Sequence, residues 1–211
     1  MTRAHPGDIV HFNRWAATYD RTPGQFLFRR IHRAVVDAVC AGGSAPHRIV
    51  DVGCGTGRLL ETLLARLPDA ELVGIDPAEG MIAVARTRFA TEPRIRLEVA
   101  PADRMPLDDG SADVVTTTLS FHHWDRHEAS LREVARVLRP GGRLVLADIL
   151  GIGLAGRLIR PMGRRHGAGY RDTDELTRLL RDAGFSAWRY RRLLGPVVPV
   201  FLVEARRPAE R

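Results

Sequence analysis

The sequence predicts an α/β protein whose mostly parallel, doubly wound sheet carries helices on both faces. Three observations predict this fold. Short apolar runs alternate with amphipathic segments along most of the chain, which is typical of strand-helix-strand units. A glycine-rich bend follows the first apolar run, and the second apolar run ends in an acid, Asp76. In doubly wound folds, ligands bind at the carboxyl ends of the strands, where both features would lie.

Two helices are predicted before the first strand. Phe12, Trp15 and Tyr19 stand at helical spacing within residues 11–20, and Thr22-Pro23-Gly24 ends the pattern. A second amphipathic helix covers about residues 25–39 and stops at Gly42-Gly43.

The first strand, residues 48–52, leads into the bend Gly53-Cys54-Gly55-Thr56-Gly57, where a helix begins. Glycines allow positive φ angles and let a flat ligand lie against the main chain. The second strand ends at Asp76, nineteen residues after Gly57, so that its tip faces the bend. A carboxylate there can accept hydrogen bonds from both hydroxyls of a ribose. We therefore predict an adenosine derivative as the ligand.

Two side chains indicate which derivative it is. A dinucleotide fingerprint, Gly-x-Gly-x-x-Gly, would require a glycine at the position of Arg58. Asp51, just before the bend, would repel a pyrophosphate but favours an ammonium group. Adenosine with an ammonium and no phosphate describes S-adenosylmethionine. The alternative within the same fold is an NAD(P)-dependent oxidoreductase.

With these motifs the chain resembles the class I (Rossmann-like) S-adenosylmethionine-dependent methyltransferases, from about Phe12 to Phe185. It is most similar to the small-molecule subgroup related to the ubiquinone and menaquinone biosynthesis methyltransferases (methyltransferase type 11). The resemblance implies one methyltransferase domain over residues 1–211, with S-adenosyl-L-methionine as cofactor. It implies a seven-stranded sheet in the order 3-2-1-4-5-7-6, with the last strand antiparallel. Residues 1–43 would form a helical lid over the cofactor.

The resemblance also implies the cofactor contacts. Asp51 and Gly53 would meet the amino-carboxypropyl group, Asp76 the ribose, and Met81 a face of the adenine. An acid after the third strand, Asp103, would accept from the adenine amine, although it could instead cap a helix. The full predicted set is Tyr19, Asp51, Gly53, Gly55, Gly57, Asp76, Pro77, Met81, Ala102, Asp103, Met105 and Leu119.

Candidate catalytic residues lie at the tips of the fourth and fifth predicted strands, residues 112–119 and 143–148. Strand tips carry the working residues of such sheets, which selects His122, His123 and Asp148. Adjacent histidines cannot both point one way, so we expect one of the pair to be structural. His166 and Tyr170 are weaker candidates for a base.

The helix between these strands covers residues 128–138, and Arg139-Pro140-Gly141-Gly142 turns into the fifth strand. Residues 149–171, rich in glycine and arginine, are expected to form a variable loop on the substrate side. Thr173 is expected to cap a helix over residues 174–183. Two runs, residues 187–194 and 197–205, then predict a closing antiparallel hairpin.

The composition bounds the partners. All 32 basic residues are arginines, and the formal net charge is +7. Because the arginines occur throughout the chain, we expect no nucleic-acid partner, although an acidic acceptor remains open. The two cysteines have no ligand-spaced partner, so we expect them to be reduced and expect no metal site.

We expect a cytoplasmic monomer or homodimer without a membrane span, because no apolar run approaches the roughly 20 residues of a spanning helix. The N-terminus lacks the hydrophobic region of a signal peptide. The predicted partner is a small-molecule methyl acceptor with an oxygen, nitrogen or carbon nucleophile. A protein that binds S-adenosylmethionine without transferring its methyl group is a further alternative, since a fold does not determine its chemistry.

Overall fold

The computed structural model describes residues 6–22, 25–152, 169–195 and 198–209. Within these ranges the α-helices are α1 (Pro6–Tyr19), α2 (Gln25–Cys40), α3 (Arg58–Arg66), α4 (Glu79–Arg88), α5 (His127–Val137) and α6 (Thr173–Asp182). The strands are β1 (Arg48–Val52), β2 (Glu71–Asp76), β3 (Ile95–Val99), β4 (Ala112–Thr118), β5 (Leu138–Ile149), β6 (Ala187–Arg192) and β7 (Val200–Arg206). A 3-10 turn covers Phe121–His123.

The seven strands form one sheet in the order β3-β2-β1-β4-β5-β7-β6. The first five strands pair in parallel, and β7 pairs antiparallel with both β5 and β6. This confirms the predicted order and the antiparallel last strand. The order reverses between β1 and β4, and in such sheets the ligand crevice opens at this point.

The sheet is covered on both faces, as its strand sequences require. Alternate residues of β1 belong to different clusters: Ile49 packs in one with α2 and α3, and Val50 in another with α5 and α6. Both side chains are fully buried. Strands buried on both faces appear in the sequence as nearly continuous apolar runs, which is why the bounds of β1 were predictable.

Helix α2 belongs to the core, since Val35 and Val39 are fully buried in the cluster beneath the sheet. Helix α1 lies apart from that core. Its Ala16 packs with Ala78 and Met81 of the segment that follows β2. The side-chain amide of Asn13 accepts a hydrogen bond from the Gly80 N–H at 2.7 Å. The two N-terminal helices therefore differ: α2 supports the sheet, whereas α1 rests on the carboxyl ends of the strands.

Two local predictions were wrong. The cap of α6 is Asp172, not Thr173: its carboxylate accepts from the Glu175 N–H at 2.8 Å, and the Glu175 carboxylate accepts from the Asp172 N–H at 3.0 Å. An aspartate with a glutamate three residues later forms this reciprocal capping box. Strand β5 begins at Leu138 rather than Arg143, because Leu138 already pairs with Ala112 before the register shifts.

The hairpin strands β6 and β7 are shorter at their inner ends than predicted. Most of the predicted substrate-side loop, residues 153–168 with His166, lies outside the described residues. Of the helices that the structure describes, none combines the length and apolarity needed to cross a membrane.

Candidate functional site

A cavity lies at the carboxyl ends of β1 to β4, beneath α1. It holds about 1000 Å³ of space free of protein atoms, part of it open to solvent. The predicted site residues that line this cavity are Tyr19, Gly53, Gly55, Asp76, Pro77, Met81, Ala102, Asp103, Leu119 and His123.

Asp76 is the central acid of the cavity. Its two carboxylate oxygens accept hydrogen bonds from the backbone N–H of Gly55 at 2.9 Å and of Ala78 at 2.8 Å. A carboxylate has about four acceptor positions, so two remain after these bonds. Burial raises the pKa of Asp76 to about 6, against the two backbone bonds, which favour ionisation. The main chain thus holds the carboxylate in place while one side of it stays available to a ligand.

The three glycines of the bend have different roles, although all three have positive φ. A Cβ on Gly53 would lie 1.8 Å from the Ser120 hydroxyl, and a Cβ on Gly57 would lie 2.5 Å from the Phe89 ring. A Cβ on Gly55 would meet nothing within 4 Å. Gly57 lines neither cavity near the bend. It permits the packing of α3 on α4, whereas Gly55 borders open space that a ligand can enter.

Asp51 lies beside the main cavity rather than in it. It lines a smaller cavity that shares Tyr19, Gly53, Gly55, Thr118 and Leu119 with the main one. Only 2% of Asp51 is exposed, and its carboxylate accepts from the Thr116 hydroxyl at 2.8 Å. Burial raises its pKa to about 7, and the nearby charge of Asp76 acts in the same direction. A cationic group in this smaller cavity would stabilise the ionised form.

The expected adenine residues are brought together except for Met105. Met81, Ala102 and Asp103 line the cavity, and the Asp103 carboxylate lies 3.2 Å from the Arg126 guanidinium at its rim. Met105 is 4% exposed and belongs to the core cluster under α5. Its N–H donates to the Glu133 carboxylate at 2.8 Å. The structure therefore does not bring Met105 to the cavity, and Asp103 pairs with an arginine rather than capping a helix.

Leu119, at the tip of β4, is the non-glycine residue with positive φ (51°) among the described residues. Its N–H donates to the Ala147 carbonyl at 2.8 Å, and it lines both cavities. For a branched side chain this backbone conformation costs on the order of 1–3 kcal/mol. Strain of this kind at a strand tip is typical of ligand sites.

Helix α1 is fixed to the glycine bend at its C-terminal end. Asp20 pairs with Arg88 and with Arg58, the latter at 3.2 Å, and accepts from the Thr56 hydroxyl at 2.7 Å. Tyr19, one residue before, lines both cavities, and burial raises its pKa. Arg58 stands where a dinucleotide fingerprint has glycine. Its guanidinium is paired with Asp20, the residue that follows α1.

The paired histidines differ in burial, although their rings lie side by side with centroids 4.1 Å apart. His122 is buried and its Nδ1 lies 2.6 Å from the Asp148 carboxylate. Its ring stacks on Tyr170, with centroids 4.8 Å apart. His123 lines the cavity, and its Nδ1 lies 3.0 Å from the Asp8 carboxylate of α1.

The sequence predicts that Asp148 contacts the substrate, but the structure places its side chain elsewhere. Asp148 is fully buried and lies outside the cavity lining. Besides His122 Nδ1, its carboxylate accepts from the backbone N–H of His122 at 3.2 Å and of Ile149 at 2.6 Å. It therefore positions the turn after β4 rather than facing a ligand.

Several lining residues were missed by the sequence reasoning. They are Asp8, Ile9, Phe12 and Trp124 on the side of α1 and the 3-10 turn, with Arg126 at the rim and His32 in the smaller cavity. A signal for Asp8 existed, because it stands four residues before Phe12 and extends the same helical stripe. Within the described ranges, no group of three or more His, Cys, Asp or Glu side chains could hold a metal ion.

Comparison with known proteins matches residues 50–146 to the family model described as "Methyltransferase domain". A malonyl-[acyl-carrier protein] O-methyltransferase of Methylococcus capsulatus is 33% identical over 138 residues, which cover 65% of this chain and 50% of that protein. A demethylmenaquinone methyltransferase of Thermus thermophilus is 43% identical over 105 residues, 49% of this chain and 48% of that protein. The chain thus spans about half the length of these curated relatives.

A solved structure of a SAM-dependent methyltransferase from Thermotoga maritima has the same fold. Its TM-score is 0.69 at 24% identity, with 93% of this chain and 98% of that chain covered. The matched region of the family model extends from β1 to β5, and it contains the glycine bend, Asp76 and the paired histidines.

Proposed function

We propose that this chain is an S-adenosylmethionine-dependent methyltransferase that transfers a methyl group to a small-molecule acceptor. Its residues 50–146 match the methyltransferase domain model, and the curated relatives named above are methyltransferases. One observation carries the proposal. The Asp76 carboxylate is held by two backbone N–H groups and keeps acceptor positions toward the main cavity. Those positions suit the two hydroxyls of a ribose.

The rest of the cavity fits the other parts of S-adenosylmethionine. Gly55 leaves room for a ligand against the main chain, and Met81 offers a polarisable side chain to an aromatic ring. Asp51, in the adjoining cavity, suits the ammonium of the amino-carboxypropyl group. We propose that Ala102 and Asp103 contact the edge of the adenine and that Tyr19 contacts the methionyl end of the cofactor. When bound, the cofactor supplies a methyl group on a sulfonium, which is already an excellent leaving group.

What the chain itself must supply is position. An in-line displacement needs the nucleophile about 3 Å from the methyl carbon in a site that excludes water. Ile9, Phe12, His123 and Trp124 provide a mostly apolar part of the cavity wall. We propose that a flat, largely apolar acceptor binds against this wall and that α1 is the lid over the cavity. Where the acceptor must lose a proton, we propose His123 as the base.

Binding of a nicotinamide dinucleotide is the competing function. A pyrophosphate at the bend would lie near Asp51 and Asp76, two carboxylates that would repel it. Arg58 does not offset them, since Asp20 and Glu61 already pair with it. These contacts favour a sulfonium nucleoside over a dinucleotide.

Calorimetric titration of the purified chain tests the proposal. We expect micromolar binding of S-adenosylmethionine and of its demethylated product S-adenosylhomocysteine, with no binding of NADH. A mass gain of one methyl group on candidate acceptors would then establish transfer. Binding of NADH alone would overturn the proposal. Binding of S-adenosylmethionine and S-adenosylhomocysteine without transfer to any acceptor would favour a non-methylating protein.

A further inference from the structure

His123 is the imidazole that the cavity presents to an acceptor. About 29% of its side chain is exposed, whereas only 8% of the His122 side chain is. Its ring packs edge-on against Phe12 of α1, with centroids 5.2 Å apart. Its backbone N–H donates a hydrogen bond to the Ser120 carbonyl at 2.9 Å, which fixes the turn that carries His123.

The partner of this ring comes from the other end of the chain. Asp8 Oδ2 lies 3.0 Å from His123 Nδ1, although 115 positions separate the two residues. Asp8 also lines the cavity, on the same face of α1 as Phe12. A carboxylate at this distance accepts a hydrogen bond from Nδ1–H, which leaves Nε2 of a neutral ring unprotonated.

We infer that Asp8 is a positioning residue: it holds His123 in the Nδ1–H tautomer and so makes Nε2 a proton acceptor. This inference rests on the proposed function. For an acceptor with an O–H or N–H nucleophile, the proton moves to Nε2 as the nucleophile loses it, and the imidazolium is stabilised by the Asp8 carboxylate. Once the cavity reopens, the proton passes from Nε2 to water, and the ring returns to its starting tautomer.

The location of Asp8 on α1 couples this base to the lid. Asn13 ties α1 to the Gly80 N–H, and Asp20 ties it to the glycine bend. When α1 is packed in this way, Asp8 reaches His123; when α1 lifts, the ring loses its acceptor. The base is therefore complete only while the cavity is covered, which keeps water from competing as the proton acceptor.

The charges around His123 are compatible with this role. Burial lowers its pKa below the ordinary value, and the neighbouring His122 acts in the same direction. Asp8 and the more distant Asp148 raise it, but do not outweigh these effects. The ring is thus neutral near pH 7, as a base must be. Removal of Asp8 would lower the pKa of His123 further.

The test is nitrogen-15 NMR of histidine side chains in the full chain, with the His123 signals assigned by their loss in His123→Gln. In the wild type we expect Nδ1 to carry the proton of the neutral ring. In Asp8→Ala we expect a shift toward the Nε2–H tautomer and a lower pKa of His123. Asp8→Glu should restore the Nδ1–H tautomer, and Asp69→Asn, which changes an exposed acid away from the cavity, should leave both quantities unchanged.

The Gly80 amide signal serves as the folding control, because its bond to Asn13 reports whether α1 is still packed. The inference is overturned if neutral His123 carries its proton on Nε2 in the wild type. It is equally overturned if Asp8→Ala leaves tautomer and pKa unchanged while Gly80 shows α1 in place. Since the measurement needs neither cofactor nor acceptor, failure to bind S-adenosylmethionine would count against the proposed function alone.

Discussion

Replacement of Asp76 by asparagine tests the cofactor assignment with little change in shape. An amide has one oxygen, so it can accept from either the Gly55 or the Ala78 N–H but not serve both as the carboxylate does. Its NH₂ group cannot accept a hydrogen bond from a ribose hydroxyl. The variant therefore loses acceptor capacity toward the ligand as well as the negative charge.

The size of the effect follows from the bonds that are lost. Hydrogen bonds to a charged group contribute roughly 1.5–3 kcal/mol each. With 1.4 kcal/mol per factor of ten, loss of one such bond to the ribose raises the Kd about 10- to 150-fold. The variant also places an unsatisfied backbone N–H near the cavity, so thermal unfolding without ligand must confirm that the fold is retained.

The same residue predicts a pH dependence of binding. The pKa of Asp76 is raised to about 6 by burial, so the carboxylate is ionised above that value and protonated below it. A protonated Asp76 has fewer acceptor positions for the ribose, and affinity should fall as the pH decreases through about 6. Asp51, with a pKa of about 7, should add a weakening at slightly higher pH if it binds the cofactor ammonium.

The assay is calorimetric titration of S-adenosylhomocysteine between about pH 5 and 7, below the range of about 7.7–8.0 where a free α-amino group titrates. Asp76→Asn should bind weakly and lose its own component, while the component from Asp51 remains but moves to lower pH, because the charge of Asp76 no longer raises the pKa of Asp51. Asp69→Asn, an exposed loop position, is the matched charge control. Unchanged affinity in a folded Asp76→Asn variant would refute the reasoning.

Three further changes probe the surroundings of the cavity. Gly55→Ala and Gly141→Ala both place a Cβ at positive φ with no other atom within 4 Å. Each variant should therefore lose about 1–2 kcal/mol of unfolding free energy, measured in urea. Only Gly55→Ala should also weaken cofactor binding. Asp148→Ala leaves the buried donors of His122 without an acceptor and should lower the free energy of unfolding by roughly 2–5 kcal/mol. Normal stability with lost activity would instead indicate that Asp148 contacts the substrate. Asp20→Ala should speed hydrogen exchange in α1 and weaken cofactor binding several-fold, and it should change the free energy of unfolding by no more than about 1 kcal/mol. Unaltered exchange would mean that the Asp20 contacts do not hold α1 in place.

The sheet was predictable because burial on both faces leaves strands as apolar runs with little ambiguity. The bounds predicted for β1 and the end predicted for β2, Asp76, match those observed. The glycine bend and Asp76 were also predictable, since their spacing along the chain fixes which strand tip faces which loop.

The direction of side chains at strand tips was not predictable. Asp76 and Asp148 both follow apolar runs, and nothing in the local sequence separates them. Asp76 ends β2 and lines the cavity, whereas Asp148 lies within β5, pairs in register with Phe201 of the antiparallel β7 and is fully buried. That difference depends on a strand about fifty residues later in the chain.

Contacts between distant segments account for the other misses. Met105 stands beside Asp103 in sequence, but its N–H is taken by Glu133 of α5, which holds it in the core. Asp8 gains its significance from His123, and only the packing of α1 over the strand ends brings the two together. Periodicity places a residue on a helix face without specifying what that face meets.

The most direct test of the central claim is a crystal structure of the chain with S-adenosylhomocysteine. The account predicts that both ribose hydroxyls donate to the Asp76 carboxylate, that the adenine lies against Met81, and that the amino group points toward Asp51. A nucleoside bound elsewhere, or a ribose without contact to Asp76, would contradict it.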